Sequence, residues 1–243
     1  MKDTAIEWAD NTINFYMGCT KVSEGCKNCY MYRLMPRFGK DPNFLNQMNF
    51  DNIMKNLKKW NPSRIFVNSM SDTFHERLSD YAITEMFTVM LMNPKHQYLI
   101  LTKRIERAVE YLSKQKLPNN FWIGTSIENE NHIDRIDHLR EIKASVRFVS
   151  FEPLLGYVMN FNLTGINWVI VGGESDPKPR PMKDVWVANI FDECKARDIP
   201  FFFKQWGGST KCKCHNAWGC RLYQDKTWDE LPYLTVQSKG DSQ

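Results

Sequence analysis

The sequence lacks several things, and each absence narrows what it encodes. No run of 18 or more apolar residues occurs in its 243 residues, so no membrane-spanning helix and no membrane partner are expected. The N-terminal stretch Met-Lys-Asp-Thr-Ala-Ile-Glu-Trp has no apolar core of the kind a signal peptide needs. Seven cysteines is an odd number, which argues against the fully paired disulfide framework of a secreted protein. A cytoplasmic location is therefore expected. Residues 1–208 contain no linker rich in Pro, Gly or Ser, so one domain is expected over 1–207, with a C-terminal appendage over 208–243. Excess charge is also scarce. The formal charge is +4, from 32 basic and 28 acidic residues, which permits an anionic partner without demanding one.

Apolar and aromatic residues are plentiful. Hydrophobic residues make up 42% of the chain, enough for one sizeable core. Aromatics reach 13%, with eight tryptophans. They can stack on bases, but filling a core is their default use. Short β-branched or aromatic runs alternate with amphipathic segments. Strands are expected at Ile13–Met17, Arg64–Ser69, Tyr98–Thr102, Phe121–Ser126, Val146–Phe151, Trp168–Gly172 and Pro200–Lys204. Helices are expected at Asn52–Lys59, Ser79–Met92, Ile105–Lys114, His132–Ile142 and Asp184–Arg197. Alternating strands and helices indicate parallel βαβ units, and seven of them nearly close a barrel. The expected fold is a partial (β/α) barrel of the TIM type.

Polar residues come directly after the apolar runs, at the C-terminal ends of the strands. They read Asn68-Ser-Met-Ser-Asp72, Thr102-Lys-Arg104, Ser126-Ile-Glu-Asn129, Ser150-Phe-Glu-Pro153, Gly172-Gly-Glu-Ser175 and Lys204-Gln-Trp206. In barrels of βα units, this rim is where active sites sit. One such residue alone is ordinarily a helix cap. Clusters after every strand point to a site.

The first strand leads into Cys19, Cys26 and Cys29, spaced C-x6-C-x2-C with no fourth cysteine in that segment. Closed iron–sulfur clusters are normally held by four cysteines, and structural zinc by four ligands. Three thiols on one short loop suit a [4Fe–4S] cluster that keeps one iron open. A zinc loop completed from elsewhere, or unrelated thiols, fit the spacing as well. Gly18 and Gly25 let the loop bend so that the sulfurs can converge.

A cysteine loop after the first strand of a partial barrel resembles the radical S-adenosylmethionine superfamily. Its commonest spacing is C-x3-C-x2-C, so the six-residue first gap matches a variant. The chain is most similar to a small group of phage and prophage radical-SAM-like proteins of unassigned function. The shared motifs are Ile6-Glu7-Trp8, Gly18-Cys-Thr-Lys-Val-Ser23, Asn68-Ser-Met-Ser-Asp72, Leu101-Thr-Lys-Arg104, Phe148-x-Ser-x-Glu-Pro-Leu-Leu-Gly156, Val171-Gly-Gly-Glu-Ser175 and Phe201-Phe-x-Lys-Gln-Trp-Gly207. The resemblance implies a [4Fe–4S] cluster on Cys19, Cys26 and Cys29, S-adenosylmethionine on its open iron, a one-electron reductant, and a 5′-deoxyadenosyl radical. It implies cofactor contacts at Ser69, Ser71, Asp72, Ser126, Glu128, Gly172, Gly173 and Glu174. It supplies no substrate. Lys103, Arg104, Glu152, Arg180, Lys204 and Trp206 are candidates to meet one; the alternatives are surface pairs for the cations and a buried ion pair for Glu152.

Cys212, Cys214 and Cys220, with His215, form a second group that looks like an insertion. They could close a zinc site or hold an auxiliary cluster, or remain free thiols. Cys194 fits the apolar pattern of its helix and is expected in the core. The expected function is a radical enzyme acting on a nucleic-acid base or nucleotide. The alternatives are a radical enzyme acting on a small metabolite, and a non-enzymatic metal-cluster protein that binds nucleic acid.

Overall fold

The computed structural model describes residues 4, 6–208 and 220–232. Seven parallel strands form one sheet in strictly sequential order: β1 (Asn11–Ile13), β2 (Arg64–Val67), β3 (Gln97–Thr102), β4 (Phe121–Ser126), β5 (Val146–Phe151), β6 (Trp168–Gly172) and β7 (Phe201–Gln205). The sheet curls into a half-barrel, as the alternation of elements predicted. Its helices are α1 (Tyr30–Leu34), α2 (Phe50–Lys59), α3 (Asp80–Leu91), α4 (Ile105–Leu112), α5 (Arg135–Glu141) and α6 (Asp184–Ala196). The side chains of Asn49 and Ser79 cap α2 and α3 by accepting from the amides of Asn52 and Ala82. No helix among the described residues is long and apolar enough to cross a membrane.

The two faces of the sheet bury different things. The outer face carries Ile65, Val67, Tyr98, Ile100, Ile123, Val149, Val169, Val171, Phe201 and Phe203 against the helices, with Cys194 buried among them. The inner face carries Phe66, Leu99, Trp122, Phe148, Trp168, Ile170 and Phe202, one cluster that also takes in Trp8. The Trp8 ring sits 4.5 Å from that of Phe66 and 6.2 Å from that of Trp168. It plugs the N-terminal end of the half-barrel. Gly124 belongs to this layer, since a Cβ there would lie 2.5 Å from the Phe148 ring.

Side chains on a strand alternate between faces. Phe66, Leu101, Trp122, Phe148 and Trp168 point inward at the bottom. Continuing the same phase, Asn68, Lys103, Ser126, Ser150, Gly172 and Lys204 come to the inner face at the top. The apolar plug and the polar rim are one periodicity read at two heights.

Three expectations need correction. The first strand is not Ile13–Met17. The chain leaves the sheet at Asn14, because the Asn68 carboxamide, on a left-handed backbone (φ 57°), accepts from the Phe15 amide. Tyr16–Met17 then pairs antiparallel with Asn46–Gln47 in a separate ribbon. Helix α1, directly after Cys29, is absent from the expected elements; its five residues run into a 3-10 turn at Pro36 and leave no periodicity to detect. The described part of the appendage, residues 220–232, lies along β7. The Phe203 amide donates to the Trp228 carbonyl, and Tyr223 and Trp228 pack on Phe191.

The plug yields a stability prediction. Trp8→Ala should destabilise the fold by about 3–5 kcal/mol through transfer and cavity terms. Tyr81→Ala, at a position 72% exposed, should cost little. Denaturant midpoints of both variants check this. Equal midpoints would remove Trp8 from the core.

Candidate metal and cofactor site

The cysteine loop begins where β1 ends. Gly18 has φ 109°, and a Cβ there would fall 2.0 Å from the Phe44 carbonyl oxygen, so only glycine fits. Cys26 closes a 3-10 turn, and Cys29 sits at the N-terminus of α1. All three thiols are unbridged and half-buried, and all three line one cavity of about 550 Å³ at the C-terminal end of the half-barrel. Burial, and after it the nearby Asp72 carboxylate, pushes the Cys19 thiol up to about 12. Burial likewise raises Cys29. Burial raises the Tyr32 phenol to about 12, and the three thiols add to that rise, so all lie within electrostatic reach of one ring. Metal binding at these sulfurs releases protons.

The donor set suits a cluster better than a single ion. Among the described residues, only Glu106, Asp134 and His138 gather ligand atoms within 4.8 Å of one another. The three sulfurs stand wider than that, as ligands to different metals of one cluster must. Three soft donors around an open cavity leave room for one metal without a protein ligand.

The strand ends hold this loop in place, each by a different contact. After β2, the Ser71 hydroxyl donates to the Gly18 carbonyl at 2.8 Å. His75, fully buried, contacts the Thr20 hydroxyl through Nε2 at 3.0 Å. Its Nδ1 accepts from the Arg77 amide, which assigns the ring proton to Nε2. After β3, Arg104 donates to the Thr20 carbonyl (3.1 Å), the Thr20 hydroxyl (2.8 Å) and Cys19 Sγ (3.6 Å). Asp72 at 3.2 Å and Glu76 at 2.5 Å hold that guanidinium in turn. After β4, Glu128 accepts from the Ser23 hydroxyl at 2.6 Å, and a Cβ on Gly25 would lie 2.5 Å from its Cγ. After β6, Glu174 accepts from Asn28 at 2.8 Å and pairs with Arg180, which also donates to the Glu24 carbonyl at 3.0 Å.

Most of the residues expected to meet cofactor or substrate are therefore partnered with protein. Asp72 accepts from the Thr102 hydroxyl, the Phe74 and Lys103 amides and Arg104. Glu128 is fully buried, pairs with Lys103 and with Arg135 at 3.1 Å, and does not line the cavity. Burial pushes its carboxyl up, but Lys103, Ser23 and Arg135 outweigh that and hold it below the usual carboxylate range. Glu174 is lowered in the same way, chiefly by Arg180 against its burial. Gly172 and Gly173 give room to Glu152 and to the Trp206 carbonyl. Trp206 itself lies outside the cavity lining. Its ring packs on Phe203 and its indole donates to the Leu222 carbonyl, so it offers no stacking face there. Cys220 is buried and its Sγ accepts from the Leu222 amide; Cys212, Cys214 and His215 lie outside the described residues.

Several groups still face the cavity. Ser69 and Ser126 line it, as does the Glu152–Lys204 ion pair at 2.7 Å, with Ser150 donating to the other Glu152 oxygen. Met31, Leu34, Met70, Phe66 and Leu101 make much of the remaining wall apolar. Sequence reasoning missed Asn28, Tyr30, Tyr32, His75 and Arg135. Asn28 and Tyr30 flank Cys29, which was the one available signal.

The fold is shared with a solved structure of a spore photoproduct lyase mutant, at TM-score 0.51 and 15% identity over 72% of this chain. The chain spans 58% of the length of that one. A family model described as "Protein of unknown function (DUF5131)" matches residues 3–232, and the chain belongs to that family. No curated protein matches. The resemblance to phage proteins finds no counterpart in these comparisons.

The Glu128 ion pairs yield a test. A depressed carboxyl stabilises the fold above its unfolded pKa near 4.5, and that stability drains away as pH falls below this value. Glu128→Gln should cost about 3 kcal/mol at neutral pH, because Lys103 and Arg135 lose their partner. It should also flatten the loss of stability below pH 4.5 and speed thiol labelling of Cys26. Unchanged labelling and an unchanged acid limb would separate Glu128 from the loop.

Proposed function

We propose that this chain is a radical S-adenosylmethionine enzyme, with Cys19, Cys26 and Cys29 holding a [4Fe–4S] cluster. The observation that supports this best is the convergence of three unbridged thiols on one cavity at the strand ends of a half-barrel. The likeness in fold to spore photoproduct lyase, a radical S-adenosylmethionine enzyme, agrees with it. The chemistry supplied by such a group is hydrogen-atom abstraction through a 5′-deoxyadenosyl radical, started by one electron from a reductant.

The chain's own residues do the rest. The straps fix the three sulfurs before metal arrives, which limits the ordering that loading requires. Lys204 carries positive charge at the cavity wall and Glu152 negative charge, a pair matched to a zwitterionic amino-acid end. The hydroxyls of Ser69 and Ser126 offer hydrogen bonds to sugar hydroxyls or a carboxylate. The apolar wall of Met31, Leu34, Met70 and Leu101 limits water around reactive species.

Anaerobic reconstitution should load about four irons at this site, with visible absorption that vanishes when all three cysteines become Ala. Reduced, loaded protein should convert S-adenosylmethionine to methionine and 5′-deoxyadenosine. Lys204→Ala should keep the iron but weaken S-adenosylmethionine binding roughly tenfold or more, as expected for a lost charge-assisted hydrogen bond. Iron retained in the triple-cysteine variant would overturn the assignment.

A further inference from the structure

The structure relocates the protein's free positive charge. At the rim, Lys103, Arg104, Arg180 and Lys204 all face carboxylates: Glu128, Asp72 with Glu76, Glu174 and Glu152. None of them is left to attract an anion. The stretch from Lys21 to Phe44 behaves differently. It carries five cations, Lys21, Lys27, Arg33, Arg37 and Lys40, against two carboxylates. Both carboxylates have local partners, Glu24 with Asn129 and His132, and Asp41 with Asn43. Among the described residues, Lys27, Arg37 and Lys40 have no carboxylate partner, and Arg33 meets only Asp176, at 3.8 Å. The same stretch exposes two aromatic rings, Phe38 at 62% and Phe44 at 64%. Scattered exposed apolar residues are ordinary. Two phenylalanines set among unpaired cations form the combination that single-stranded nucleic-acid sites use, charge for the backbone and rings for the bases.

This stretch is also part of the site. Arg33 and Leu34 line the cavity, and the Cys19 amide donates to the Pro42 carbonyl at 2.9 Å. Arg77 reaches the same segment by donating to the Asn43 carbonyl at 2.9 Å. We infer that Lys27, Arg37, Lys40, Phe38 and Phe44 form a docking surface for single-stranded nucleic acid at the mouth of the cavity. The rings require unstacked bases, so a duplex fits poorly. The surface deepens the proposed function by naming its substrate class. It rests on that reading only for the chemistry done on the bound strand, since the contacts themselves need no cluster.

The test is anisotropy of a labelled single-stranded oligonucleotide with full-length reconstituted protein at two salt concentrations. The same preparation is assayed for iron, and duplex and an acidic peptide serve as comparison ligands. Wild type should bind single strands best, with affinity falling as salt rises. Arg37→Ala/Lys40→Ala should reduce the slope of log affinity against log salt by about 1. Phe38→Ala should weaken binding roughly five- to hundredfold with the slope unchanged. Lys114→Ala/Lys143→Ala, exposed cations elsewhere on the chain, should leave both quantities as in wild type. Equal or tighter binding of duplex or peptide would overturn the inference, as would slopes that ignore the Arg37/Lys40 pair. Iron retained without oligonucleotide binding defeats the surface alone, and oligonucleotide binding without iron defeats the cluster alone.

Discussion

The pairing of buried charges around the cysteine loop is the constraint on which the rest of the site depends. A loop with three metal ligands and no fourth cannot be drawn into shape by ligation at every corner. The half-barrel does the shaping from outside. Glu128 and Arg104 are the main braces, because each is buried and each reaches the loop while held from behind. A lone buried carboxylate or guanidinium would be costly. Glu128 is balanced by Lys103 and Arg135, and Arg104 by Asp72 and Glu76. Neither brace can move without stranding a charge, so the loop inherits the rigidity of the sheet.

The sheet can supply braces at the right height because of its period. Every second residue faces inward, so a strand that buries Trp122 near its base presents Ser126 at its end, with Glu128 two residues on. Trp8 and the aromatic layer fill the lower half and exclude water there. The space left above is the cavity. Apolar plug, polar braces and open cavity all arise from continuing one alternation past the point where the core ends.

The same period accounts for how much was legible in the sequence. The spans Phe121–Ser126, Val146–Phe151 and Trp168–Gly172 could be read to the residue, because buried parallel strands are unbroken apolar runs with sharp polar edges. The rim could be read as a rim, and the cysteine loop as a metal loop. What each rim residue touches could not be read. Glu128 and Ser23 lie 105 positions apart, and nothing local distinguishes a brace from a ligand contact. Trp206 illustrates the same limit. Its place after a strand suggested the cavity, but the return of residues 220–232 along β7 takes its ring and its indole N–H to the outer side. Helix α1 was invisible because five residues carry no period.

The redistribution of charge is a consequence of the same bracing. A rim that neutralises every cation it carries leaves a cavity wall with little net field, apart from the Glu152–Lys204 pair. The formal excess of +4 must then lie elsewhere, and part of it lies on the segment that continues directly from the cysteine loop. Charge on the loop's outer extension cannot compete for the braces, because Gly25, Thr20 and Asn28 have already occupied them. Bracing by paired charge thus separates two tasks that unpaired rim cations would have confused. Fixing the thiols falls to the carboxylates and cations beneath the loop, and attracting an anionic partner falls to the cations left exposed beyond it.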